Sequence, residues 1–338
     1  MKIPTPKKLP SGRWRIQIVL DGKRHSITED TKELCFAKAL AYKTELIKQK
    51  KNAPPITLSK AIDNYIAARE AVLSPSTIRG YKNIQNKRFT LLMEKPLNSL
   101  NQTVLQRAAN TEAKLCSAKT LQNSWRFIAS VIYEATGDRY DIKLPQVVPN
   151  ERLFLSPEQI QAFLKAIYGT DVEIPALLGL WSLRRSEIIG LKWESVDIPA
   201  RKIIVENTVV PDEHHKLVEK RTTKNISSRR VVPMVNRLAD LLRDAPHVSE
   251  FVVQENPETL RRKVNRICAA NDLPQIGLHG LRHSFASLAY SLNVPEKIAM
   301  QIGGWSNDAT MRKIYTHIAQ SDMSNYTDKM TEFFNNVE

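Results

Sequence analysis

The hydrophobic periodicity of this chain predicts an α+β fold, mainly α, on three observations. Near the amino terminus, RWRIQIVL (13–20) alternates apolar and polar residues and leads through Asp21-Gly22 into a second short run, the pattern of a β-hairpin. Between about residues 58 and 136, apolar residues recur at helical spacing in four successive stretches. Beyond residue 150 the two periods mix, with helical stretches on either side of a pair of strand-like runs.

With 338 residues and 42% hydrophobic composition, the chain can bury real cores and should divide into two or three domains. Breaks in composition place the domains at 1–52, 56–145 and 152–338. The first break is KQKKNAPPITLS (48–59), where a charged helical end meets Pro54-Pro55 and then a Thr57/Ser59 helix-start signal. The second is KLPQVVPNERLFLSPEQI (143–160), an extended stretch punctuated by Pro145, Pro149 and Pro157, in which Ser156-Pro157-Glu158 opens a helix.

In the first domain, Trp14, Ile16, Ile18 and Leu20 share one face of the first strand, with Arg13, Arg15 and Gln17 on the other; KRHSIT (23–28) is the return strand. A helix from about Thr31 to Lys48 covers the apolar side, with Phe36, Ala39, Leu40, Tyr42 and Leu46 as expected contacts. A two-stranded ribbon fits a major groove, so Arg13, Arg15, Lys23 and Arg24 are candidates to grip DNA; the alternative is a solvated basic face. The second domain should be a bundle of helices over 58–73, 74–92, 101–113 and 117–136. Ser76, Thr77, Arg79 and Lys82 stand at or near the start of its second helix, with Tyr81, Lys87 and Arg88 beyond. A helix amino terminus beside basic groups suits phosphate contacts, or again a solvated face.

The formal net charge of +15 is unevenly spread. Residues 1–51 hold 13 Lys or Arg against 5 acids, residues 52–150 hold 13 against 7, and residues 151–338 hold 24 against 23. A polyanionic partner would therefore be attracted mainly by the first two segments, while basic residues of the third act locally. No run of about 18 apolar residues is available to span a bilayer, and MKIPTPKKLPSGRWR lacks the apolar stretch of a secretory signal, so a cytoplasmic protein without a membrane partner is expected. Cys35, Cys116 and Cys268 are far apart and in no CxxC arrangement, which argues against a disulfide framework or a zinc site.

Chemistry concentrates in four stretches of the third domain: WSLRRSEIIGLKW (181–193), TTKNISSRRVVPM (222–234), LHGLRHSFA (278–286) and IGGWSNDATMRKIYTHI (302–318). Arg184 and Glu187 are i,i+3 neighbours on an expected helix over 176–197, as are His279 and Arg282 on another. A guanidinium offers forked donors to phosphate oxygens, an imidazole can donate or accept a proton, and a phenol can act as nucleophile. Trp305 stands ten residues before Tyr315.

Taken in order, these four stretches resemble the tyrosine recombinases, the family of phage and transposon integrases. The resemblance covers roughly residues 150–325. It implies that Arg184 and Arg282 clamp a scissile phosphate, that Glu187 supports the site, and that Lys224 protonates the leaving alkoxide. It further implies that His279 assists proton transfer, that Trp305 positions and packs, and that Tyr315 is the nucleophile. Arg185 and His283 are adjacent rivals, and His317 reads as a surface residue; Lys216, Lys220 and Arg221 are alternatives to Lys224, and Asn225 stands where the family often has Thr. The third domain would then be a mixed α/β catalytic domain of the tyrosine recombinase type, the first an arm-site-binding domain and the second a core-binding domain.

The implied substrates are double-stranded DNA attachment sites, engaged by a homotetramer on two duplexes in a bacterial cytoplasm, with a host DNA-bending protein and a directionality factor as further partners. No cofactor and no metal are expected: energy is stored in the covalent link, and His214-His215 with Asp212-Glu213, the nearest metal candidate, sits in a loop without further ligands. In the tail (321–338), Met323, Tyr326, Met330 and Phe333 or Phe334 form a stripe that folds onto its own domain or, as the resemblance favours, onto a neighbouring subunit. Two other readings remain at this level, a type IB topoisomerase and a DNA-binding regulator whose catalytic core has decayed.

Overall fold

The structure, a computed structural model, describes residues 4–20, 23–52, 56–148, 153–220, 229–305, 311, 312, 315, 327, 331 and 334; at 19, 20, 23, 24 and 45–52 it describes the backbone alone. Among these residues no helix is long and apolar enough to cross a membrane.

The amino-terminal ribbon has three strands rather than the two expected. β1 (Lys7–Lys8) pairs antiparallel with β2 (Trp14–Leu20), which pairs antiparallel with β3 (Lys23–Glu29). Lys7 falls opposite Arg15, which falls opposite Thr28, so the outer face carries Lys7, Arg15, Gln17, Ser26 and Thr28 in register. Helix α1 (Lys32–Asn52) covers the other face through Cys35 and Ala39, both fully buried with Ile16. The expected contacts Phe36, Leu40 and Tyr42 are instead exposed. A sheet this narrow buries one i,i+4 stripe of the helix, and the close approach selects small side chains for it. The side chain of Leu46 lies outside the described ones.

The helical bundle comprises α2 (Leu58–Ala67), α3 (Pro75–Lys87), α4 (Thr90–Met93), α5 (Gln102–Glu112) and α6 (Ala118–Thr136). Thr57, Ser74, Asn101 and Ser117 cap α2, α3, α5 and α6, each side chain accepting a backbone N–H of the first turn. The expected helix over 74–92 breaks at Phe89, whose backbone is left-handed at φ 49°. The buried Glu112 carboxylate fixes the break, accepting from the Phe89 backbone N–H at 2.9 Å and from Arg88 at 3.1 Å. The helix expected to reach residue 73 ends at Ala67 and continues as turns. Leu58, Ile62, Leu105, Leu121 and Ile128 are fully buried in one core, each stabilising the bundle by about 1.5–3 kcal/mol.

The third region opens with α7 (Pro157–Ile167), where Ser156 and Gln159 form a reciprocal capping box and Pro157 begins the helix. It continues through α8 (Glu173–Leu180), α9 (Arg185–Ile189), β4 (Val196–Asp197), β5 (Lys202–Val205), β6 (Val209–Pro211), β7 (Leu217–Glu219) and β8 (Arg230–Pro233). There follow α10 (Asn236–Asp244), α11 (Pro257–Ala270), α12 (Leu278–Ser291) and α13 (Glu296–Gly303). The sheet runs β4-β5-β8, antiparallel, and sets Val205 opposite Arg230. β5 and β8 therefore pair as expected, but β6 and β7 fold between them as a separate hairpin.

The continuous helix expected over 176–197 is absent: α8 and α9 are separated by a turn with Ser182 at φ 72°. Helix α12 lies against α7 and α8, burying Leu281, Phe285 and Ala286. Its Ser284 hydroxyl accepts the Leu155 N–H at 2.9 Å, which ties the entering chain to the core.

Candidate active site

The turn after α8 determines where Arg184 points. Because the helix restarts at residue 185, Arg184 is the residue before its first turn, in extended backbone, and Glu187 lies at the third helical position. The Glu187 carboxylate reaches back to the Arg184 backbone N–H at 2.7 Å and also accepts from the Arg184 guanidinium at 2.7 Å. That guanidinium donates in addition to the Gly304 carbonyl at 2.5 Å, with the side chain still 39% exposed. Arg185 faces solvent.

Glu187 is buried and has a further partner. Arg230, at the start of β8, donates to both of its oxygens, Nη1 to Oε1 at 3.0 Å and Nη2 to Oε2 at 2.9 Å. Burial alone would raise the pKa of this carboxyl. The hydrogen bonds and charge of Arg230, with the Arg184 backbone N–H and charge, outweigh it and hold the group down to about 2. Nε of Arg230 donates to the Ile302 carbonyl at 3.0 Å. Sequence reasoning missed Arg230; its signal was its place in the strand-like run RVVP, where every second residue must face the core.

Arg282 reaches the same cluster from α12. It is 2% exposed, donates to the Ser182 carbonyl and stands 4.7 Å from the centre of the Trp305 ring. Burial, followed by the charges of Arg184 and Arg230, presses its pKa down to about 9, against the opposing pull of Glu187. Three guanidiniums thus surround one carboxylate. His279, in the first turn of α12, is exposed and meets His283 edge-on at 4.5 Å. His283 is buried, so of the two rings His279 is the one open to a substrate.

The Gly303-Gly304-Trp305 corner at the end of α13 closes this side of the site. A Cβ on Gly303 would lie 2.5 Å from the Trp305 ring; Gly304 has a left-handed φ of 60°, and a Cβ there would lie 2.9 Å from Arg230. Only glycine lets the chain turn here with both neighbours in place. The Trp305 ring packs near Phe285 at 6.0 Å, and its indole N–H can donate a hydrogen bond but cannot accept one.

Among the described residues Tyr315 has no polar contact with these side chains, but with Trp305 it packs against the apolar cluster of Phe285, Ala289, Ala299 and Met311. Its hydroxyl is buried without a hydrogen-bond partner among the described residues, and its ring lies 5.0 Å from that of Tyr290. Burial raises the phenol pKa, and the charge of Glu296 raises it further. Lys224 lies outside the described residues, as do Arg221, Asn225 and His317, and so does the tail stripe except Phe334, which is exposed.

Of the residues expected to meet DNA elsewhere, Arg15 is exposed on the outer sheet face, and Arg13 is exposed but pairs with Asp30 at 2.9 Å. Arg24 stands opposite Val19 and Lys23 opposite Leu20; their side chains lie outside the described ones. Ser76 and Thr77 have their hydroxyls at 3.1 and 2.7 Å from the capping Ser74 hydroxyl. Lys82 is engaged by Asp63 at 2.7 Å, while Arg79 has no ion pair among the described residues. Among the described residues no cluster of His, Cys, Asp or Glu could hold a metal ion; Asp212 serves the β6–β7 turn, accepting the N–H groups of His214 and Lys216, each at 2.9 Å.

Comparison with known proteins agrees with this geometry. Residues 154–322 match the phage integrase family. The chain is 22% identical over 263 residues to a XerC-like tyrosine recombinase of Caldanaerobacter subterraneus subsp. tengcongensis, covering 64% of this chain and 67% of that protein. It is 24% identical over 205 residues to the integrase of Staphylococcus phage L54a, covering 53% and 56% of the two chains. With the prophage integrase IntF of Escherichia coli (strain K12) it shares 28% identity over 177 residues, covering 48% of this chain and 34% of that one.

Among solved structures, the Tn1549 transposon integrase in complex with circular intermediate DNA superposes with a TM-score of 0.63 at 19% identity, over 80% of this chain and all of that one. A lambda integrase dimer bound to a core site gives 0.56 at 14% identity, over 92% and 94%. These likenesses establish the fold, and the matched domain spans the cluster built by Arg184, Glu187, Arg230, Arg282 and Trp305. The chain belongs to the phage integrase family, and so to the tyrosine recombinases.

Proposed function

We propose that this chain is a site-specific integrase of a phage or other mobile element, cutting and rejoining DNA through a phosphotyrosyl link on Tyr315. The observation that carries the reading is the cluster of Arg184, Arg230 and Arg282 around the single carboxylate of Glu187, with Arg282 buried. Such an excess of buried positive charge is stabilised by an oxyanion, and a phosphodiester supplies one.

The phenol oxygen of Tyr315 attacks phosphorus in line as the bond to the 5′ oxygen breaks. Arg184 and Arg282 hold the nonbridging oxygens as charge builds on them. His279, exposed beside Arg282, serves the same phosphate or takes the phenol proton, and Lys224 donates a proton to the departing 5′ oxygen. The 5′-hydroxyl of the partner strand then attacks the phosphotyrosyl link, releasing Tyr315 and forming the recombinant strand. The energy of the broken bond is conserved in the link, so no nucleotide cofactor is consumed. The Tyr315 phenol, its pKa raised by burial and by Glu296, must pass its proton to a base as it attacks.

We assign residues 1–52 to an arm-type DNA-binding domain, 56–145 to a core-site DNA-binding domain and 152–338 to the catalytic domain. Lys7 and Arg15 on the outer sheet face support the first assignment, and Arg79 near the start of α3 supports the second. The working assembly is a homotetramer on paired double-stranded attachment sites in a bacterial cytoplasm, with a host DNA-bending protein and a directionality factor as accessory partners. A structure in the family with a lambda integrase tetramer bound to a Holliday junction supports that stoichiometry. The reading is tested by strand exchange between two plasmids carrying DNA from either flank of the gene: recombinant product supports it, and relaxation of supercoils without exchange refutes it.

A further inference from the structure

We propose that Arg230 is a positioning residue for the cleavage reaction, a buckle that holds Glu187 and the Gly303–Trp305 corner so that Arg184 and Arg282 face one phosphate. The proposal rests on the recombinase reading above and adds to it a residue that touches no substrate.

The geometry separates Arg230 from the other two arginines. Its side chain is 7% exposed, against 39% for Arg184. Its Nε serves the Ile302 carbonyl, and its two terminal nitrogens serve the two oxygens of Glu187. The whole fork is thus directed at protein groups. Through it three elements are joined: β8, which follows the segment holding Lys224; the start of α9, which presents Arg184; and the end of α13, which leads into Trp305. The Arg184 guanidinium bonds a carbonyl two residues further along, that of Gly304. Arg184 and Arg230 therefore grip the same corner from either side of Gly303, through the Gly304 and Ile302 carbonyls, while sharing one carboxylate.

The consequence is electrostatic as well as mechanical. The charges facing Glu187 come from Arg184 beside its own helix, Arg230 on β8 and Arg282 on α12, while Glu206, lining the same small cavity at the end of β5, is paired with Arg229. Removing Arg230 leaves Arg184 as the one guanidinium hydrogen-bonded to Glu187 among the described residues, pulling it toward the carboxylate and away from a phosphate. Lysine would restore the charge but not the fork, since one ammonium cannot span both oxygens and the Ile302 carbonyl.

The test uses the full-length protein with Arg230→Gln and Arg230→Lys, and four readouts: thermal melting, duplex affinity, single-turnover cleavage of a nicked suicide duplex as a function of pH, and the Glu187 carboxyl titration by NMR. The expected result is duplex affinity within about twofold of wild type, cleavage slowed on the order of 100-fold in Arg230→Gln, and a smaller loss in Arg230→Lys. Arg230→Gln should also gain an acidic limb in its rate profile, absent from wild type and from the Arg230→Gln/Glu187→Gln double variant, because burial unopposed by Arg230 lifts Glu187 into the titrating range. The NMR titration should show the same rise whether or not DNA is cut. A folded Arg230→Gln that cleaves at the wild-type rate overturns the proposal. So does an unmoved Glu187 titration in either folded variant. If the titration rises but the wild type forms no adduct on any duplex, the recombinase reading fails while the hold of Arg230 on Glu187 stands.

Discussion

At the scale of single residues, the site is governed by the sharing of one carboxylate among cations. Glu187, buried and held to about 2, contributes stability that is complete above the ordinary Glu value near 4.5 and is lost as pH falls toward 2. The contribution is on the order of 3 kcal/mol. Glu187→Gln should therefore be destabilised at pH 7, and its gap from wild type should close as pH falls below about 4.5; urea midpoints across that range check the sign. Arg282 works in the opposite sense. Its pKa is lowered by burial and by neighbouring cations, so a bound oxyanion relieves it. Arg282→Ala should slow single-turnover cleavage by about 10²- to 10³-fold. Sulfate should raise the melting temperature of wild type more than that of this variant.

At the scale of elements, local punctuation decides the geometry. Gly304 turns the chain at φ 60° beside Arg230, and a methyl group there meets the guanidinium stem at 2.9 Å. Gly304→Ala should cost at least about 1–2 kcal/mol through backbone strain alone. Gly80, inside α3 with open space around it, is the control: Gly80→Ala should stabilise by about 0.5–1 kcal/mol. Denaturant melts of the two variants should move in opposite directions.

The same punctuation explains what could be read in advance. Ser156-Pro157 opened α7 and Ser74-Pro75 opened α3 because capping chemistry is local. The breaks at Ser182 and Phe89 were not legible: neither residue is glycine, and each break is held by distant partners, Arg282 on the Ser182 carbonyl and Glu112 on the Phe89 N–H. The resemblance carried by the four motifs singles out Arg184, Glu187, Arg282 and Trp305, which the structure gathers together. Arg230 was hidden among basic neighbours, because only the β5–β8 register turns it inward. Of the α1 contacts Ala39 is buried as expected, but size and apolarity favour Phe36 and Leu40 where close approach requires Cys35.

At the scale of the whole molecule, charge and chemistry are divided. The first 150 residues hold most of the positive excess, while the third region, nearly neutral overall, gathers Arg184, Arg230 and Arg282 at one site. Non-specific duplex affinity should therefore depend chiefly on the front of the chain. Deleting residues 1–52 should make the plot of log affinity against log salt shallower by about 0.9 for each phosphate contact given up. A slope unchanged by the deletion would assign the electrostatic grip to the helical bundle or the catalytic region instead.

The central claim, that Tyr315 is the nucleophile served by the Arg184–Arg282 cluster, is tested most directly by mapping the covalent link. The wild-type protein is trapped on a nicked suicide duplex, the SDS-resistant adduct is digested with trypsin, and the nucleotide-bearing peptide is fragmented in a mass spectrometer. Trypsin releases residues 314–329 as one peptide containing both Tyr315 and Tyr326, so fragmentation must assign the site. The prediction is a nucleotide on Tyr315 and no adduct from Tyr315→Phe. A nucleotide on Tyr326, or an adduct that survives Tyr315→Phe, would contradict it.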